Sequence, residues 1–362
     1  IAEHIPHDAC VAAPQVPRAL LAGLEAMAHY RVDAITPAVT SPCEYLIASV
    51  NVQSNLNQPD MVTVCLSNLP KGPIAGSQRF SATFRAGAEM EVKMGQKEGT
   101  PLKRVFLGKT IGGDPEFDEQ KAVFNYQMGM NDLHKLSRER KTRTFTNQTV
   151  QQIVSKIVQE NGLTANFGKE TPTLMHEHLH QWNMTDLEFL RLIGSRTARN
   201  LWVDLDNKTC FFVKYEKDKS PVASLTFNLE GKQALMNFSP RSNAGAQTKK
   251  VNVYGWDPAK KEKIVGVYTA AASPLGGELG ASAFGDGPEL NVCDVPVRTK
   301  EEADLIAEST CTERNMNFIT GSLTTKGNAD IKVGTIIQID AEDNRFDGKY
   351  YVSGVEDRKS VV

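Results

Sequence analysis

The chain has almost no excess of either charge: 41 Lys+Arg stand against 43 Asp+Glu, a formal net charge of -2 over 362 residues. Binding to nucleic acid or to an anionic membrane rests on clustered cations, so neither is an expected partner. No apolar run approaches the roughly 18 to 20 residues that span a bilayer. The opening IAEHIPHDAC lacks the basic and apolar regions of a signal peptide. The six cysteines, Cys10, Cys43, Cys65, Cys210, Cys293 and Cys311, show no C-x-x-C or other ligand-like spacing, which argues against a zinc knuckle and a disulfide scaffold. They read as free thiols. G-x-S-x-G does not occur, H-E-x-x-H is matched only by His176–His180 in a segment that alternates as a strand rather than lying on the helix that motif needs, and the Gly-rich stretch at 276–287 contains neither phosphate-cradling pattern. No hydrolase signature is therefore present in its working context, and that stretch reads as a mobile loop.

What is present is alternation. CEYLIASVNVQS, MVTVCLSNL, AEMEVKM, VFLGKTI and AVFNYQM follow one another from Cys43, with turn residues between them. Apolar and polar residues alternating at period two indicate half-buried strands, and even spacing indicates an antiparallel barrel or sandwich. The pattern breaks after residue 145. Thr149 and Gln152 fit a capping box, and Val150, Ile153, Val154, Ile157 and Val158 form an apolar stripe at helical spacing. A second capped helix is predicted from Thr185, and NLWVDL with KTCFFVKY predict a hairpin around Asp206 and Asn207. Alternation returns in KVNVYGWDP and KIVGVYT, a third helix fits TKEEADLIAESTCTERNM, and TIIQID and KYYVSGV close the chain. Gly87 leading AEMEVKM and Gly334 leading TIIQID, each followed by a hairpin partner, suggest an internal duplication. The fold class is therefore α+β and mostly β. Residues 1–40 form an arm, with RALLAGLEAMAHY as a short helix or a frayed terminus. A first barrel spans 41–145, an inserted α+β module 146–215, and a second β region with one helix 216–362.

Few residues suggest chemistry. His176, His178 and His180 share one face of a strand about 6 to 7 Å apart, too far to converge on a metal without a fourth ligand, so a solvated face is expected. Asp186 and Glu188 are explained by capping and the helix dipole better than as an acid/base pair. Lys135, Arg138, Arg140, Lys141 and Arg143 form the chain's one local basic cluster, read either as an interface or as a solvated strand end. In VNVYGWDPAKKEKIVG, Val251, Val253 and Gly255 fall on one face and Tyr254 and Trp256 on the other, with Asp257 and Pro258 starting a turn. Gly255 beside an indole suggests a bulge or a close backbone approach. Trp256 fits either an interface or its own core.

MNDLHKLSRERKTRTF, NQTVQQIVSKIVQENGL, NMTDLEFLRLIGSR, VNVYGWDPAKKEKIVG and RTKEEADLIAESTCTERNMNFITGS with FDGKYYVSGV occur in one order across residues 125 to 355. Together they resemble the contractile-tail baseplate hub family, which includes phage late control protein D and the hub portion of VgrG-type spike proteins. The matching positions are Asp132, Leu136 and Arg138, then Asp186 and Phe189, then Gly255, Trp256 and Asp257, and last Gly348, Lys349 and Tyr350.

The resemblance implies two tail-tube-like β-barrels around the inserted module, three chains forming a ring that imitates a hexameric tube. It implies a structural, non-enzymatic hub adapting the inner tube to a trimeric spike, with no cofactor or metal. The implied partners are two further copies, the inner tube protein, the spike protein and baseplate wedge proteins. The implied setting is cytoplasmic assembly into a phage tail or an extracellular tail-like particle. Fused family members continue past the second barrel where this chain stops at DRKSVV, so a separate spike polypeptide or a longer chain is expected. The competing readings are a peptidoglycan-binding or peptidoglycan-degrading tail component and a β-rich adhesin.

Overall fold

A computed structural model describes residues 31–35, 47–68, 85–95, 102–115, 123–216, 219–227, 234–271, 288–343 and 345–360. The arm helix and the Gly-rich stretch at 276–287 lie outside them. Six strands come first: β1 (Arg31–Ile35), β2 (Ile47–Asn55), β3 (Met61–Asn68), β4 (Glu89–Gly95), β5 (Lys103–Pro115) and β6 (Val123–Met130). A 3-10 turn at Asp132–Ser137 leads to β7 (Arg140–Thr149), α1 (Val150–Glu160), β8 (Thr164–Asn166), β9 (Met175–Thr185), α2 (Asp186–Thr197), β10 (Arg199–Val203) and β11 (Thr209–Lys214). The remainder is β12 (Ala223–Thr226), β13 (Leu235–Ser242), β14 (Lys250–Asp257), β15 (Glu262–Thr269), β16 (Glu289–Val292), α3 (Lys300–Met316), β17 (Ile319–Thr325), β18 (Ile336–Asp340), β19 (Gly348–Tyr351) and β20 (Gly354–Ser360).

The alternation places Val50 and Val52, Val62 and Val64, and Met90 and Val92 on one buried face, and strands with such a face must curl over a core. They do so as a seven-stranded antiparallel sheet in the order β1-β4-β5-β6-β3-β2-β20, curled into a half-barrel. Its last member corrects the sequence reading. KYYVSGV was expected to be one strand of the second β region, but it divides: Gly348–Tyr351 pairs with β18, whereas Gly354–Ser360 pairs with β2. The break follows from the side chains. Val352 is buried against the second region and Gly354 lies against Asn55 of the first.

The middle of the chain has its own core, in which Ile153, Val154, Ile157 and Val158 of α1 meet Phe189, Leu190 and Ile193 of α2. Phe145 stacks on Phe189 at 5.7 Å between centroids. Both helices begin with the expected capping boxes, Thr149 with Gln152 and Thr185 with Glu188. This core starts earlier than residue 146. Leu133, Leu136 and Phe145 belong to it, because the 3-10 turn and β7 fold onto the helices rather than onto the first sheet. β7 and β9 form a two-stranded ribbon, and the predicted hairpin β10-β11 gains β8 as a parallel neighbour.

Among the described residues the second β region forms three small sheets, β12-β18-β19, β13-β17 and β15-β14-β16, where sequence suggested one further barrel. The β14-β15 sheet packs on α3 in a core of Val251, Val253, Ala303, Ile306 and Cys311. The regions are pinned together at the module. Asn57, at φ 62, accepts from the Leu201 amide at 2.8 Å and donates its own amide to the Leu201 carbonyl at 2.7 Å. On the other side Gly334 (φ +77) abuts the indole of Trp202, where a Cβ would sit 2.7 Å from the ring. Gly87 shares the positive φ, so both glycines of the suspected repeat lead their hairpins through a turn that L side chains rarely adopt.

Two predictions follow from this packing. Phe189→Ala removes a fully buried stacked ring and should lower the unfolding free energy by about 3 to 5 kcal/mol in urea titration. Burial pushes the Asp60 carboxyl up to about 6 even though Ser54 and Asn131 donate to it. A carboxyl raised above its unfolded value stabilises the fold fully below about pH 4, and that contribution is lost as pH rises through about 6. Stability should therefore fall between pH 4 and 7 by a component of about 2 kcal/mol, and Asp60→Asn should flatten that component in urea titrations at the two pH values.

Candidate functional site

One concavity, about 2340 Å³, is an open trough bounded by the first sheet, the module and the second β region. Its walls include the β2-β3 turn, the end of the β7-β9 ribbon, the C-terminal ends of α2 and α3, all of β17 and the run from Tyr350 to Arg358. Four arginines line it, Arg140, Arg191, Arg199 and Arg358, against four carboxylates, Glu188, Glu313, Glu356 and Asp357, so the lining has no net charge. Most of the remaining polar surface is amide and hydroxyl, as in Asn57, Asn200, Thr312, Thr320 and Ser322. Burial raises Asp357 to about 6, because its side chain lies on the same face of the sheet as Val52, its register partner.

Asp186 does more than start a helix. Its carboxylate is 2% exposed. It receives Lys141 Nζ at 2.7 Å and Asn161 Nδ2 at 3.2 Å on one oxygen, and Arg143 at 2.8 Å and Gln181 Nε2 at 3.0 Å on the other. Burial alone would raise its pKa, but the bonds from Lys141, Gln181 and Asn161 and the charge of Arg143 hold it below the usual carboxylate range. The basic run is thereby explained in part: Lys141 and Arg143 serve a buried anion, Arg143 also binds Glu160 at 2.5 Å, and Arg140 reaches Glu188 at 3.1 Å. A solvated strand end is the wrong description for Lys141 and Arg143, whereas Arg140 stays exposed. Asn161 and Gln181 escaped the sequence reading, since neither shares a periodic or motif spacing with Asp186.

The other named positions scatter. Asp132 opens the 3-10 turn, accepts from Lys135 at 2.7 Å and donates its amide to Asn207 at 3.1 Å. Arg138 meets the His134 ring at 2.5 Å, Leu136 is buried, and Phe189 is core. Gly255 is a close approach, since a Cβ there would lie 2.2 Å from Val297, and β14 keeps regular register with β15 at that point. Asp257 accepts from the amides of Ala259 and Lys260, as an Asp-led turn should. Trp256 is 58% exposed, outside the core. Gly348 and Lys349 begin β19, and Tyr350 donates to the Phe346 carbonyl at 2.7 Å and meets Phe238 edge-on.

The three histidines do share a strand face, but not one environment. His178 and His180 are exposed, whereas His176 is half-buried with Nδ1 3.8 Å from Glu302 of α3. Among the described residues no group of three or more His, Cys, Asp or Glu could hold a metal ion, and no helix is long and apolar enough to cross a membrane.

Comparison with known proteins sets this geometry in context. Three solved structures share the fold. The tail protein from Neisseria meningitidis MC58 has a TM-score of 0.65 at 12% identity, covering 92% of this chain and 93% of its own. The 43 kDa tail protein of prophage MuSo2 from Shewanella oneidensis has a TM-score of 0.66 at 14% identity, covering 91% and 95%. The E. coli c3393 protein, a component of the type VI secretion system with structural similarity to T4 bacteriophage tail proteins gp27 and gp5, has a TM-score of 0.56 at 14% identity, covering 91% and 73%. At such identities the likeness is one of fold, and it supports the sequence resemblance at the level of tail proteins. No curated protein matches the sequence. Residues 32–360 match the family model of the Alg8 N-terminal domain, and the chain belongs to that family.

The Asp186 cluster yields a stability prediction. Asp186→Ala leaves Lys141 and Arg143 facing a buried, anion-free site, and such a loss typically costs about 3 to 5 kcal/mol. Because the Asp186 pKa is depressed, its contribution is full at neutral pH and is lost as pH falls below about 4. Urea titrations should therefore separate wild type from Asp186→Ala at pH 7, and the separation should shrink by at most about 1 kcal/mol at pH 3.

Proposed function

From that fold and the sequence resemblance, we propose that the chain is a structural component of a phage-tail-like contractile injection machine, and within it the baseplate hub that adapts a hexameric inner tube to a trimeric spike. The observation that carries the reading is the likeness to two tail proteins over more than nine-tenths of both chains. A curled first sheet and a second β region flank the module. Three copies around an axis would place six β walls in a ring, which is how a three-fold part can meet a six-fold tube. On this reading the partners are two further copies, the inner tube protein, the spike protein and baseplate wedge proteins. The particle assembles in the cytoplasm and acts as a tail or as an extracellular tail-like body. The chain acts by shape and contact, without a catalytic step.

Trp256 is assigned to the contact between copies. An indole 58% exposed at the end of β14 is the amphipathic side chain that interfaces favour. Trp256→Ala should leave the melting temperature of the free chain within about 2 °C, as for a surface change, and weaken trimerisation in sedimentation by tenfold or more. Electron microscopy of purified particles decides the larger claim. Three copies in a ring between tube and spike are expected, and a monomer or dimer at that place overturns the hub assignment. A muramidase assay separates the peptidoglycan reading: turnover abolished by replacing one carboxylate would establish an enzyme instead.

A further inference from the structure

Two strands present themselves to the trough in an unusual way. A strand seen from its face contributes every second residue to a surface, because side chains alternate. Along β17 all seven residues from Ile319 to Thr325 line the trough, and so do all nine from Tyr350 to Arg358, the end of β19 and most of β20. Consecutive lining means that the trough meets these strands along their edges. Both are terminal strands of their sheets: β17 pairs only with β13 and β20 only with β2 among the described residues. One concavity is thus flanked by two β edges, each carrying a row of backbone N–H and C=O groups without a ladder partner, which is a template for strand pairing.

The shape and the chemistry restrict what could lie there. A trough flanked by two strand edges fits a single extended segment, which can pair with both. The lining carries four arginines and four carboxylates, so it selects neither an acidic nor a basic segment by charge. Thr320, Ser322 and Thr324 of β17 and Asn55, Asn57 and Ser353 opposite offer hydroxyl and amide groups, which suit small polar side chains such as Ser, Thr and Asn. Asp357 faces the core side of edge strand β20, an inward charge of the kind that discourages indiscriminate edge-to-edge pairing.

We propose that the trough is a binding site for an extended, uncharged polypeptide segment of another protein, which adds a strand between β17 and β20. The inference rests on the tail-component reading, since it requires a second polypeptide of the assembled particle to supply the segment. Hydrogen exchange with mass spectrometry compares the free chain with the chain in purified particles. Outward amides of both β17 and β20 should exchange at least tenfold more slowly in the particle. Protection of neither strand, or of one alone, overturns the inserted strand while leaving the tail-component reading intact. Absence of the chain from the particles overturns both. A photo-crosslinking residue at Ser322 then identifies the occupant. An adduct with a Ser/Thr/Asn-rich stretch of a different polypeptide supports the proposal, and an adduct with a second copy of this chain, or with a strongly charged stretch, overturns it.

Discussion

The register between β2 and β20 holds the molecule's long-range organisation. Ser49 to Asn55 pair with Ser360 to Gly354 in reverse order, joining segments separated by almost the whole chain. Through that ladder the second β region is returned to the first sheet, and the trough exists because the return leaves a gap between β20 and β17. Backbone pairing of this kind is sequence-tolerant, so the side chains must set the register. Val52, Val355 and Asp357 mark the inward positions, and Gln53 donating to Glu356 at 3.1 Å marks an outward one.

The module between the two β regions is where rigidity concentrates. Its helices are joined by apolar contacts, and the ribbon β7-β9 is locked to both of them by Asp186 with Lys141, Arg143, Asn161 and Gln181. A buried carboxylate with four donors is satisfied, and its value is less in net stability than in fixing one arrangement of four elements. The first sheet leans on this unit through Asn57 and through Arg104, which joins Glu91 at 2.5 Å to Asp206 of the β10-β11 turn. The second region leans on it through Trp202 beneath Gly334 and through Tyr215 edge-on to Tyr351.

The proposed structural role is compatible with this division of labour. Lys141, Arg143 and Arg104 are held in ion pairs, while the open surface includes a trough whose charges balance and large side chains such as Trp182, 72% exposed, and Trp256. Neutral walls exert no long-range attraction on charged solutes, so contact there is decided by shape and backbone pairing rather than by field.

The sequence by itself determined the local elements. Period two in SVNVQ and TVCL produced strands with a buried valine face, and the stripe Val150, Ile153, Val154, Ile157 with its Thr149 cap produced a helix, because both signals lie within a few neighbouring residues. Gly255 was likewise legible as a close approach, and Asp257 as a turn. Only the tertiary structure decided where KYYVSGV breaks, that the described residues of the second β region form three small sheets, and that Lys141 and Arg143 serve Asp186. Each depends on partners 40 to 300 residues away, whose meeting is set by packing of whole elements and leaves no periodic trace in either segment.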